Sequence, residues 1–275
     1  MEVKTMWRKK YLKVLNSITI ICVVIGCMIN MMKFAGMAVF SFIRNTDSSS
    51  DDGVVIGGTT GAFDKIDAKL SFGTVKVEYG NEYSYSISGF NNDTTPECKI
   101  KNGKLEIKQK SGINFNIFKD KAVDGTVTVT IIKNAEPDMD ISLNMGSFEL
   151  NGITLGNLNV DADMGSVTLK NCNMKNVEVQ ADMGGITFNN CTFDTGDFDA
   201  NMGGIELENC TFDNASCDAD MGSIDVTGTY DYLTADCDMG SIKASNTNQN
   251  AKYDLDCDMG DVKLNGNNVG DKYKN

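Results

Sequence analysis

In the second half of the chain, apolar and polar residues alternate in short runs, and the runs return at a fixed interval. "DADMGSVTLKNC" (Asp161 to Cys172) is followed by "QADMGGITFNNC", "DANMGGIELENC", "DADMGSIDVTGT", "DCDMGSIKASNT" and "DCDMGDVKLNGN". The marker glycines Gly146, Gly165, Gly184, Gly203, Gly222, Gly240 and Gly260 stand nineteen residues apart four times, then eighteen, then twenty. Each unit carries an apolar face too small to be buried alone. Such a period predicts a solenoid whose copies stack and bury those faces against one another.

Set in register, the copies resolve into columns. Ahead of the glycine, Ile141, Val160, Val179 and Phe198 head one apolar column and Leu143, Ala162, Ala181 and Ala200 the next, with polar residues between them. This is the period-two pattern of a strand with one buried face. Continued one step further, the alternation places Met145, Met164, Met183, Met202, Met221, Met239 and Met259 inward, as a ladder filling a narrow core. After the glycine, Val167, Ile186, Ile205 and Ile224 begin a second strand. Cys172, Cys191 and Cys210, with Met174, Phe193 and Phe212, mark a third inward set. The parallel Cβ vectors of stacked cysteines fit bridge geometry badly, so free buried thiols are expected. Gly152, Asn171, Asn190, Asn209, Gly228, Asn246 and Gly266 share a turn column, and Gly and Asn are the residues that tolerate positive φ.

The fold class is therefore all-β: a parallel β-solenoid, or β-helix, of about 19-residue coils over residues 141–275. A degenerate copy, "IDAKLSFGTVKVEYG", places Phe72 and Gly73 in the Met-Gly positions. The stretches "EYSYSISGF", "CKIKNGKLEIKQK" and "GTVTVTIIK" follow it, and "NGK" is a hairpin signal. Residues 54–140 are read as a β-rich cap of antiparallel or mixed pairing, which a solenoid needs to cover its open end.

The N-terminus has a different pattern. Residues 1–13 form a basic tail with Arg8, Lys9, Lys10 and Lys13. Residues 14–43 form an apolar stretch, interrupted by Lys33, that predicts a transmembrane helix with an interfacial extension. A polar linker occupies residues 44–53. The positive flank predicts a single-pass protein of the cell membrane with a cytoplasmic N-terminus and an extracellular C-terminal domain. A cleaved signal peptide and a lipoprotein signal ending at Cys27 are the competing interpretations; the first lacks a small-residue cleavage site, and the second would leave a strongly apolar mature terminus.

Charge narrows the function. From Ile141 onward there are 22 Asp and Glu against 7 Lys, so this half repels nucleic acid. His is absent and Arg occurs only at Arg8 and Arg44, which removes the commonest acid-base group and metal ligand. Nine cysteines without a CxxC pair give no zinc signature. The outward columns are the candidate site: Asp163, Asp182, Asp199, Asp218, Asp220, Asp236, Asp238, Asp256 and Asp258, in two rows on one face. Such rows need water, counter-ions or a basic ligand, because like charges opposite one another on neighbouring strands are destabilising. Three roles fit them: a solvated face, a cation site in which Ca²⁺ would be the metal, or a surface for cationic peptides and cell-envelope components. A purely structural surface spacer corresponds to the first of these. An extracellular β-helix polysaccharide-active enzyme is the rival of different class. It is disfavoured because the carboxylates recur alike in every coil, whereas a catalytic site breaks the repeat with residues of unlike role. The longest irregular segment, Ser111 to Gly125, carries no catalytic set.

The basic tail, the single span, "IDAKLSFGTVKVEYG", "GTVTVTIIKNAEPDMDISLNMGSFEL" and the "DMGS" coils together resemble the bacterial putative adhesin family, a cell-envelope β-solenoid domain of unknown function of the Gram-positive surface type. The resemblance covers roughly Val54 to the C-terminus. It implies a membrane-anchored, adhesin-like binding role or a role in envelope-stress sensing of cationic peptides, with no catalytic residues and no cofactor.

Overall fold

The computed structural model describes residues 56–90, 94–109 and 125–275. The basic tail, apolar span and linker expected ahead of the cap, and most of the irregular segment from Ser111, lie outside the described residues. Among the described residues every regular element is a strand, and no helix is long and apolar enough to cross a membrane.

The chain opens with β1 (Ile56–Thr59), β2 (Lys65–Leu70) and β3 (Gly73–Gly80), followed by β4 (Ser84–Ser88), β5 (Glu97–Lys101), β6 (Lys104–Lys108) and β7 (Thr126–Ile132). β2 and β3 are a full coil of the solenoid. On one side they pair in parallel with β8 (Asp138–Asn151), Ile66 opposite Met139 and Gly73 opposite Gly146. On the other side β2 pairs in parallel with β6, and β3 with β7. The first coil in sequence is thus sandwiched between two later ones. β5 and β6 form the hairpin that "NGK" predicted, with Asn102 and Gly103 at φ 52° and 76°. β4 runs antiparallel to β7 and β1 antiparallel to β4, so the cap region has mixed pairing built around an in-register coil.

Beyond β8 the coils follow in order. β9 (Leu158–Met164), β10 (Val167–Lys170), β11 (Asn176–Met183), β12 (Ile186–Asn189), β13 (Thr192–Met202), β14 (Ile205–Asn246) and β15 (Lys252–Leu264) pair in parallel with their equivalents one coil away, giving about seven turns. The last residues leave the repeat. β16 (Asn267–Gly270) and β17 (Lys272–Lys274) turn back antiparallel onto β15 and cover its open edge.

The inward columns form one continuous core: Ile141, Val160, Val179, Phe198, Cys217, Ala235 and Leu255 are all buried, as are the columns after the corner. On the third side an aromatic ladder continues the fill. Phe193 stacks on Phe212 at 4.9 Å and Phe212 on Tyr230 at 4.7 Å, followed by edge contacts to Tyr253 and Tyr273. Cys172, Cys191 and Cys210 are buried free thiols, as are Cys217, Cys237 and Cys257. Asn171, Asn190 and Asn209 adopt φ of 53–54° at the turn column. Asn246 departs from it: its side chain instead bridges the N–H and carbonyl of Tyr230, and Asn265 and Gly266 take the left-handed conformation in the last coil.

The methionine column is the principal correction to the strand pattern. Met145 and Met164 are 37% and 38% exposed and Met259 is 64% exposed, while the other four are half-buried. Residues 144 and 145 both face outward, as do their counterparts in later coils, so the alternation breaks at the corner. The interior there is taken up by the column two residues earlier, which begins with the buried Leu143. That column continues with Ala162, Ala181, Ala200, Ala219, Cys237 and Cys257, all buried against the backbone turn. Only Phe72 in the first coil occupies this position while buried, because Phe90 covers it with ring centroids 5.8 Å apart.

The glycine beside it is required by contact between coils. A Cβ on Gly165 would be driven into the carbonyl of Gly146, one on Gly203 into that of Gly184, and one on Gly222 into that of Gly203. At the cap end, where the chain departs after β6, Gln109 takes over: its Oε1 accepts from the N–H of Ser71 at 2.8 Å and of Phe72 at 3.2 Å, while its Nε2 donates to the Thr94 carbonyl at 2.6 Å. Gly203→Ala should lower the unfolding free energy by about 3 kcal/mol. Gly185→Ala is the matched control, since its Cβ would meet only the Gly204 carbonyl at 3.5 Å, and it should stay within about 0.5 kcal/mol. Urea unfolding of the two variants measures the difference.

Candidate binding face

With the register fixed, the outward residues of the strand ahead of each corner become rows. The outermost holds Asp140, Asn159, Glu178, Asp197, Ser216, Thr234 and Asp254. The middle row holds Ser142, Asp161, Gln180, Asp199, Asp218, Asp236 and Asp256. The row beside the corner holds Asn144, Asp163, Asp182, Asn201, Asp220, Asp238 and Asp258. All nine carboxylates expected from the sequence lie on this one face, exposed or half-buried.

The structure adds members that the two-row reading missed. Asp140, Glu178, Asp197 and Asp254 extend the same face, two positions upstream in the same strand period. Lys272 and Lys274, brought back by the C-terminal hairpin, are the more consequential addition. Lys272 Nζ lies 2.6 Å from Asp256 and 3.9 Å from Asp258, and Lys274 pairs with Asp254. At the opposite end Lys65 approaches Asp140 at 4.0 Å, and Lys104 bridges Asp67 at 2.7 Å and Glu106 at 3.2 Å. Between these ends, from Asn159 to Asp238, the three rows contain no Lys or Arg. The coils carrying Asp197, Asp199, Asp218, Asp220, Asp236 and Asp238 are therefore the stretch without a direct lysine partner, with Lys272 reaching only Asp236 at longer range. Asp182 is partly satisfied by the Asn201 amide at 2.8 Å.

Electrostatics confirms the crowding. Partial burial and the neighbouring carboxylates Asp220, Asp197 and Asp182 raise the Asp199 carboxyl above its ordinary range. Asp218 is raised by burial and by Asp236, Asp199, Asp220 and Asp238. Asp236 is raised by burial and by Asp256, Asp238 and Asp258, with Lys272 opposing. Among the described residues no group of three or more His, Cys, Asp or Glu side chains is arranged to hold a metal ion. The carboxylates are spread along rows and do not converge as a Ca²⁺ shell would.

A capped parallel β-solenoid with one acidic face is the class of protein that these features define. The Toastrack DUF4097 family matches residues 63–274, and the chain belongs to that family. Among solved structures, it is similar to a putative adhesin from Bacteroides fragilis, with 16% identity over 78% of this chain and 97% of that one, at a TM-score of 0.57. A putative cell adhesion protein from Clostridium sporogenes shares 17% identity over 63% of this chain and 98% of its own, at a TM-score of 0.47. A putative lipid binding protein from Parabacteroides distasonis shares 16% identity over 79% and 96%, at 0.42. At these identities the likeness is one of fold. No curated protein matches the chain.

The raised carboxyls fix a sign. A native pKa above the unfolded value means that the folded state binds more protons, so the stability associated with these groups is present at low pH and is lost as pH rises through the native values. Lowering the pH from about 7 toward the ordinary aspartate range near ~4 should raise the melting temperature. The triple variant Asp199→Asn, Asp218→Asn, Asp236→Asn should flatten that rise. Melting curves across pH at low and high salt check both, the salt dependence shrinking in the variant.

Proposed function

We propose that this chain is a membrane-anchored, non-catalytic surface protein whose solenoid presents its acidic face to cationic ligands outside the cell, in adhesin-like binding or in sensing of envelope stress. The observation that carries the proposal is the run of carboxylates from Asp197 to Asp238 without a direct lysine partner, within which burial and neighbouring carboxylates hold Asp199, Asp218 and Asp236 above their ordinary range. A polycation laid along such rows would replace water with paired charge and relieve the mutual repulsion of the carboxylates. Basic peptides and cationic envelope components have that chemistry. The apolar stretch at residues 14–43 supplies the anchor in this proposal, with the N-terminus in the cytoplasm.

A binding role also suits the chemistry of the thiols. Those of the regular coils face the core, and burial, then the neighbouring Cys257, pushes Cys237 up to about 12, far from a thiolate nucleophile at neutral pH, while a hydrogen bond with Cys191 lowers the buried Cys210. The carboxylates repeat alike from coil to coil, without an acid and a base in distinct environments.

Calorimetric titration of the full chain with an oligolysine peptide tests the binding. Saturable, salt-sensitive binding is expected, at least tenfold weaker when Asp199, Asp218, Asp220, Asp236 and Asp238 are changed to Asn. Equal affinity in parent and variant, or no binding to the parent, would sink the proposal for this face. Protease treatment of intact cells tests the topology: the solenoid should be digested from outside while the chain stays with membranes after an alkaline wash.

A further inference from the structure

The corner methionines form a second ladder, outside the core and beside the acidic rows. Met145 lies opposite Met164, Met164 opposite Met183, Met183 opposite Met202, Met202 opposite Met221 and Met239 opposite Met259, each one coil from the next. These positions are half-buried or exposed, and the interior of the corner is taken up by the Ala and Cys column two residues earlier. Polar residues would fit there equally well by burial alone, yet every regular coil has Met, while the adjacent row exchanges Asp and Asn freely. The result is a line of seven thioethers along the outside of the corner, three of them exposed and four half-buried. The described thiols of the regular coils are buried.

Thioether sulfur is a soft ligand that selects Cu(I) over hard ions such as Ca²⁺ and Mg²⁺. The spacing suits such an ion. Equivalent side chains one coil apart repeat at the strand spacing of about 4.8 Å, which is on the order of two metal–sulfur bonds, taking the length of about 2.3 Å that Zn²⁺ makes with thiolate sulfur as the scale. A monovalent soft cation would be shared between the sulfurs of successive coils. Asp163, Asp182, Asp220, Asp238 and Asp258 each stand one residue before a ladder methionine and draw cations toward it. The same carboxylates disfavour an apolar partner, which would have to desolvate them.

We infer that the methionine ladder is a binding site for soft monovalent metal ions of the Cu(I) and Ag(I) class, held between thioethers of adjacent coils. The inference does not rest on peptide binding by the acidic face. The test is a titration of the full chain with Ag(I), and with Cu(I) against a chromophoric chelator, read by the ε-methyl NMR resonances of labelled methionine. The ladder methyls should shift on metal addition while the buried Met139 and Met174 stay in place. Changing Met164, Met183, Met202 and Met221 to Leu, a swap that keeps volume and apolarity, should weaken uptake at least tenfold with the metal-free melting temperature unchanged. The triple variant Asp199→Asn, Asp218→Asn, Asp236→Asn, which leaves the carboxylates next to the ladder methionines in place, should keep the methyl shifts, which separates this site from the peptide face. Uptake without ladder methyl shifts would place the metal elsewhere in the chain and overturn the inference, as would no uptake, or undiminished uptake by the Leu variant. If the Leu variant fails to fold, the parent spectra decide alone.

Discussion

The close approach of coils at the glycine corner governs the rest of the molecule. Each marker glycine leaves vacant the space that a Cβ would occupy, and the carbonyl of the glycine one coil earlier fills it. The contact is backbone to backbone, so it does not vary with the side chains around it. It sets the same register in every coil, and the apolar columns follow as continuous internal rows. Volumes are then traded along those rows: Phe198 sits between Val179 and Cys217, and Ala and Cys line the interior of the corner. A substitution there is felt by two neighbours of the same column, because close-packed interiors do not absorb an extra methylene cheaply.

The same register generates the electrostatic character of the surface. Repeating one sequence in register places like side chains at every rung, and aspartate rows therefore come with unavoidable repulsion. The core offsets that repulsion, and the ends relieve it. Lys104 and Lys65 stand at the cap, and Lys272 and Lys274 at the closing hairpin. The strongest field is left over the interior coils, away from the strand edges that these caps protect. Protection of the edges and definition of the acidic face are thus the work of the same terminal elements.

Much of this was legible in the sequence, because a nineteen-residue period exposes which positions share an environment. The parallel stacking, the buried columns at Ile141, Leu143 and Cys172, the left-handed asparagines and the acidic rows all follow from columns read together. The failures lie where the period stops being informative. The methionines were placed inward by carrying a two-residue alternation through a corner, where the chain puts two residues outward in succession. The pairing of β2 with β8 joins segments about 70 residues apart, and no local pattern announces that β6 and β7 would stack on the far side of the same coil. Lys272 and Lys274 carried no signal in the sequence, because their role depends on the chain reversing direction after Gly266. Asp197 and its row were legible in the strand period, two positions upstream of residues already singled out.

The placement of the first coil between two later ones bears on how the chain can mature. In an ordinary solenoid each completed turn templates the next, and order can spread from one end while the remainder is still being synthesised. Here β2 and β3 have no flanking strand until β6, β7 and β8 have been made, so the leading coil waits about 40 residues for β6, its first neighbour, and about 70 for β8, its second. The earliest stable nucleus is therefore a non-local assembly, slow to close for reasons of loop entropy. The regular coils after it can add one at a time. A chain delivered N-terminus first would pass through a lag and then a run of rapid additions, finishing when the terminal hairpin seals the last edge.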